Sequence, residues 1–136
     1  MFHRFFIPAD LYSPHIPLGS PLTEGLSLLR ATGLEVVEVK SEEHSFRIDG
    51  AKYRAAVYTD GDRVKSAWYD DPAGRGTARG RARKIELYLS RYGQLSNWEQ
   101  RMENGWMRYW YNPVEGVSMK YGIHMDVIRF NEYHGA

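Results

Sequence analysis

From Leu34 to Tyr69 apolar and polar residues alternate, whereas Leu22, Leu26 and Leu29 before this stretch, and Ile85, Leu89 and Tyr92 after it, recur at intervals of three and four. The first spacing sends successive side chains to opposite faces of a strand; the second keeps them on one face of a helix. A first helix is predicted over 21–32. Ser20 stands as N-cap, Pro21 at the first position where no amide hydrogen is missed, Glu24 in the electropositive first turn, and Gly33 as the left-handed stop. Strands are predicted at 34–40, 44–48, 51–58 and 63–69, with Asp49-Gly50 and Asp60-Gly61 as tight hairpin turns. Tyr53, Ala55 and Val57 would face one way and Lys52 and Arg54 the other, so one side of the sheet should be wet. Phe2 to Ile7 reads as a further short strand, after which Pro8, Pro14 and Pro17 keep the chain extended.

The helical period returns at 77–92, with Ala78, Ala82, Ile85, Leu89 and Tyr92 as the apolar stripe and Gly93 as the stop. Ser96-Asn97-Trp98-Glu99 has the form of a capping box and predicts a short third helix ending at Asn104-Gly105. Strands follow at 106–111, 117–123 and 125–130, with Gly122 marking a bulge or bend. Strands and helices in separate blocks predict one α+β domain, a mostly antiparallel twisted sheet of about six to eight strands covered by two or three helices. The same segregation argues against a doubly wound nucleotide fold.

Composition narrows the function classes. A chain of 136 residues is the size of one domain. Eighteen Lys and Arg against seventeen Asp and Glu leave a net charge of +1, so any polyanion must be recognised by a patch rather than by a long-range field. The absence of cysteine excludes disulfides and thiolate zinc sites and makes the reducing cytoplasm the expected compartment. No apolar run reaches the length of a membrane span, so a soluble protein without a membrane partner is expected.

The strongest local asymmetry is Gly74 to Lys84, where Arg75, Arg79, Arg81, Arg83 and Lys84 cluster around a glycine-punctuated helix start. On a helical wheel Arg79 and Arg83 take one flank of the apolar stripe, and Arg81, Lys84 and Arg91 the other. Unpaired amides at the helix N-terminus, its partial positive charge and close approach at the glycines would make an anion cradle. The run lacks the span and the Lys-Ser/Thr of a phosphate-binding loop. Alternatively it is a solvated face whose arginines pair with Asp70, Asp71 and Glu86.

Trp106, Arg108 and Trp110 would share one face of a strand and Met107, Tyr109 and Tyr111 the other. The first trio suits either base stacking and protein contact or a covered core strand. Glu38-Val39-Lys40 has the form of half a metal-dependent nuclease site, but no acid on a preceding strand completes it. The histidines at 3, 15, 44, 124 and 134 are scattered, and His124 with Asp126 is the nearest approach to an acid–base pair. No catalytic residue, metal ligand or cofactor is therefore assigned. The sequence predicts a non-catalytic module that contacts a polyanion, nucleic acid foremost, through the basic helix. A small protein-binding or inhibitor protein using the aromatic surface is the alternative, and an enzyme with a spatially assembled site is a third class left open.

Overall fold

The computed structural model describes residues 7–133. One sheet contains the eight strands of these described residues: β1 (Val37–Val39), β2 (Ser45–Asp49), β3 (Arg54–Asp60), β4 (Arg63–Asp70), β5 (Glu99–Glu103), β6 (Met107–Asn112), β7 (Val117–Gly122) and β8 (Val127–Glu132). Every pairing is antiparallel, and the spatial order is β1-β2-β3-β4-β8-β7-β6-β5. Two meanders thus meet where β4 pairs with β8, and the chain between them carries helix α2 (Ala78–Arg91). Helix α1 (Leu22–Arg30) precedes the first meander. The α+β class and the antiparallel sheet are as the segregated periodicities predict.

Both helices lie on the same face. Ile85 and Leu89 of α2 enter the core, where Tyr88 of α2 meets Tyr69 of β4 and Phe130 of β8, and Tyr92 at the helix C-cap stacks on Phe130 at 4.0 Å. Ala55, Val57, Met119 and Ile128 continue this layer across the sheet. Helix α1 sits close to the sheet because Gly25 has no side chain, and a Cβ there would come within 2.8 Å of Val64. Leu11 and Ile16 of the extended N-terminal segment complete the core.

Several local expectations need correction. The segment read as a third helix is a 3-10 turn at Leu95–Asn97 followed by β5, since the capping-box residues close a single turn and no helical apolar period follows them. The first strand shrinks to β1, at the sheet edge where one neighbour supplies hydrogen bonds. Pro21 rather than Ser20 is the α1 N-cap, because the Ser20 hydroxyl donates back to Pro17 O at 2.8 Å. Gly61 has the positive φ of a tight hairpin, whereas the β2–β3 connection is a longer loop closed by Gly50 N donating to Tyr53 O at 3.0 Å. The strand read at Phe2 to Ile7 lies almost wholly outside the described residues.

Helix α2 also sits differently on the sheet. Ala78 and Ala82 are exposed, and Gly80, Lys84 and Tyr88 take their place on the buried side. The alanines contribute little area whichever way they face, so the large rings of Tyr88 and Tyr92 decide the rotation. At the C-terminus Gly93 adopts φ +135°, and Tyr92 N donates to Leu89 O at 3.1 Å.

Candidate polyanion-binding surface

Thr77 opens α2 as its N-cap, its hydroxyl accepting from Gly80 N at 2.9 Å. The preceding loop turns through Gly74 at φ +74°, where a Cβ would stand 2.1 Å from the Gly80 carbonyl oxygen. Loop backbone and helix start are therefore packed directly on each other, and a glycine at 74 is required for it.

The five basic residues assigned to this region part company. Lys84 is 1% exposed. Its ammonium donates to Asp71 O, and to Asp126 Oδ2 and O at 2.9 and 3.2 Å. It is a buried structural cation, not part of the outer surface, and burial lowers its pKa against the opposing pull of Asp126. Arg75 is bound by two acids, with Nη2 2.7 Å from Asp70 Oδ1 and Nε 3.1 Å from Asp126 Oδ2. Arg83 pairs with Glu86 at 3.1 Å. Arg79 and Arg81 make no ion pair among the described residues. Arg79 and Arg83, one turn apart, are exposed on the outer side of the helix, whereas Arg81 leans over the end of the sheet beside Ile123, His124 and Met125.

Asp126 anchors the sheet end beneath Arg81. It takes φ +57° in the turn between β7 and β8, and its Oδ1 accepts from the Tyr121 hydroxyl at 2.6 Å. Burial first, then this bond to a carboxylate, raise the Tyr121 pKa. Asp71 is also consumed internally: Oδ2 accepts from Tyr12 N and Ser13 N, both at 2.9 Å, and from the Tyr88 hydroxyl at 3.1 Å. Among the described residues no buried side-chain nitrogen or oxygen lacks a partner. A network so fully satisfied reads as a clasp holding loop, helix and turn together.

The strand trio also divides. Trp110 packs against the core, Arg108 Nε donates to Glu103 Oε1 at 3.2 Å, and Trp106 stands out at 70% exposure. The Trp106 ring lies 5.0 Å from that of His124. Arg81 lines a cavity with His124, whose ring meets Trp106 just ahead of β6, so the first turns of α2 and the entry to β6 border one surface. Arg81, His124 and Met125 share a shallow cavity of about 390 Å³ there, with Trp106 against its histidine wall.

The remaining candidates are dispersed. Glu38 bonds His44 across 2.6 Å at the exposed β1 edge, and Lys40 takes no part. Asp126 holds its cations and the Tyr121 proton rather than His124. No group of three or more His, Asp and Glu among the described residues has metal-site geometry. No helix among them is long and apolar enough to cross a membrane.

On the sheet face opposite the helices, sequence reasoning missed Tyr109, Lys120 and Arg129, which lie side by side across β6, β7 and β8. The signal was present in β7, where Val117, Met119 and Tyr121 are buried while Ser118 and Lys120 alternate with them. Comparison with known protein families, with curated proteins and with solved structures finds no match to this chain.

Proposed function

We propose that the protein is a non-catalytic binding module for a polyanion, single-stranded nucleic acid foremost, and that the contact runs from the first turns of α2 to Trp106. One observation carries this reading. Arg81, distant in sequence from Trp106, lines a cavity with His124, whose ring lies 5.0 Å from that of the exposed Trp106. A cation without an ion pair among the described residues, Arg81, next to an exposed indole supplies what a sequence-tolerant single-strand contact needs, phosphate pairing and a ring on which a base can stack. The helix N-terminus adds its partial positive charge.

The test is oligonucleotide binding across a salt series. The parent should bind a short single strand at low salt and weaken steeply as salt rises. Arg79→Glu combined with Arg81→Glu should keep the fold and flatten the slope by about two phosphate contacts. Trp106→Ala should weaken binding by about 1–3 kcal/mol without changing the slope. Absence of low-salt binding in the parent, or unchanged affinity in the double variant, overturns the proposal. Salt-insensitive capture of a protein through Trp106 and Met125, each 70% exposed, would instead favour the protein-binding alternative.

A further inference from the structure

The sheet face opposite the helices carries a second arrangement, independent of α2. Neither helix lies on it among the described residues. Its centre is floored by small side chains, Ser45, Ala56 and Ser66, buried beneath larger neighbours. The Arg129 guanidinium lies 4.1 Å from the Tyr58 ring centroid, with its Nε donating to Ser66 Oγ at 2.9 Å and its Nη2 to Glu43 Oε2 at 2.6 Å. Arg129 is thus fixed in place at the wall of a cavity of about 690 Å³, within the usual size of small-ligand sites.

The cavity floor is set by strand register. One row runs Tyr109, Lys120 and Arg129 across β6, β7 and β8; the row beside it runs Tyr111, Ser118 and Asn131. Neighbouring strands lie about 4.8 Å apart, so the backbone positions of Tyr109 and Lys120 are one strand apart, while the Arg129 guanidinium reaches the other way over β4 to Tyr58 and forms the far wall. The rings differ in availability. Tyr111 already meets Arg101 at 5.0 Å and Tyr133 at 4.5 Å, whereas Tyr109 makes no ring stacking or cation contact among the described residues.

Charge favours an anion. Arg129, Lys65 and Lys120 all act on the single carboxylate of Glu43, so positive charge remains in excess around it. Lys120 is exposed and makes no ion pair among the described residues. The second acid at the wall, Glu132, is occupied by Arg63.

We infer that this cavity binds a planar aromatic group bearing a single anionic substituent, a ligand of the nucleoside monophosphate class, with the ring on Tyr109 and the anion on Lys120, Arg129 lining the far wall. Ser118 and the Asn131 side chain stand in the adjacent row for polar groups between ring and anion. The site faces away from α2 and does not depend on the polyanion reading.

The experiment is calorimetric titration of the whole protein with adenosine monophosphate, adenosine and inorganic phosphate as separate probes. The monophosphate should bind, and each of the other two should bind about tenfold or more weakly, since each offers half of the recognition. Lys120→Glu and Tyr109→Ala, each with a parent-like circular dichroism spectrum, should weaken the monophosphate about tenfold or more, while Arg30→Glu, exposed in the last turn of α1, leaves it unchanged. Monophosphate that fails to bind, binds both variants like the parent, or is matched by adenosine or by phosphate alone overturns the inference.

Discussion

The two faces of the sheet handle charge in opposite ways. Beneath α2, Lys84 and Asp126 are almost wholly buried, and each donor or acceptor around them is matched by a partner fixed in the fold. On the other face Arg129 and Arg54 lie over Tyr58 and Trp68, and Lys120 reaches solvent without an ion pair among the described residues. The first set is committed to holding the molecule together; on the second, Arg54 and Arg129 still pair with Asp70 and Glu43, and of these three Lys120 remains available to something outside. A basic residue in the sequence therefore says little until its partners are known, and Lys84 and Lys120 lie at the two extremes.

Breaking one charge on each face gives the widest separation. Asp126→Ala leaves the Lys84 ammonium buried with only carbonyl acceptors and should cost about 3–5 kcal/mol in urea unfolding, whereas Lys120→Glu should stay within about 0.5 kcal/mol. Equal losses in the two variants would erase the distinction between the faces.

A smaller loss is expected where the covered side meets the β6–β7 turn. Gly93 holds φ +135°, and a Cβ there would lie 2.3 Å from Asn112 Nδ2. Asn112 is fully buried, its Oδ1 accepting from Val114 N and Glu115 N at 3.0 and 3.1 Å. Gly93→Val should therefore destabilise by about 1–3 kcal/mol, read as a lower melting temperature. An unchanged melting temperature would show that the helix end and the turn are not packed as described.

The smallest effect concerns pH. His15 sets its ring edge against Tyr92 at 5.1 Å, and partial desolvation, followed by the charge of Arg91, lowers its pKa. Above about pH 6.5 the residue is neutral both folded and unfolded; below it the unfolded chain takes up a proton first, so stability should decline slightly as pH falls from 7 to about 5. His15 remains largely exposed, which keeps the decline small. His15→Gln should remove this component, and an identical pH profile in the variant would show that other groups set the dependence.

What was legible in the chain was whatever neighbours in sequence decide. Leu22, Leu26 and Leu29 defined α1, and Ile85 and Leu89 were read as core and are 5% exposed each. Gly33 and Gly93, both read as stops, have positive φ. What was not legible depends on distant partners. Lysine is rarely buried, and only the Asp71 carbonyl and the Asp126 carboxylate, brought together by the β4–β8 seam, make it tolerable at 84. Nothing local distinguishes Trp106, exposed at the start of its strand, from Trp110, packed against the core two pairs along it. The open face was predicted to be wet, but its buried floor at Ser45, Ala56 and Ser66 follows from large residues on neighbouring strands folding over small ones, a matter of register.

The strand order also bears on how the chain is made. β8 is the last strand of the described residues but lies beside β4 at the middle of the sheet. During synthesis the first meander can pair within itself, yet the outer edge of β4 stays without a neighbour until β5, β6 and β7 have emerged and β8 arrives. A half-built sheet with one bare edge can recruit a strand from another nascent chain. The bond pattern between Ser66–Asp70 and Val127–Asn131 is thus both the keystone of the finished sheet and the step at which a growing chain is most open to joining the wrong partner.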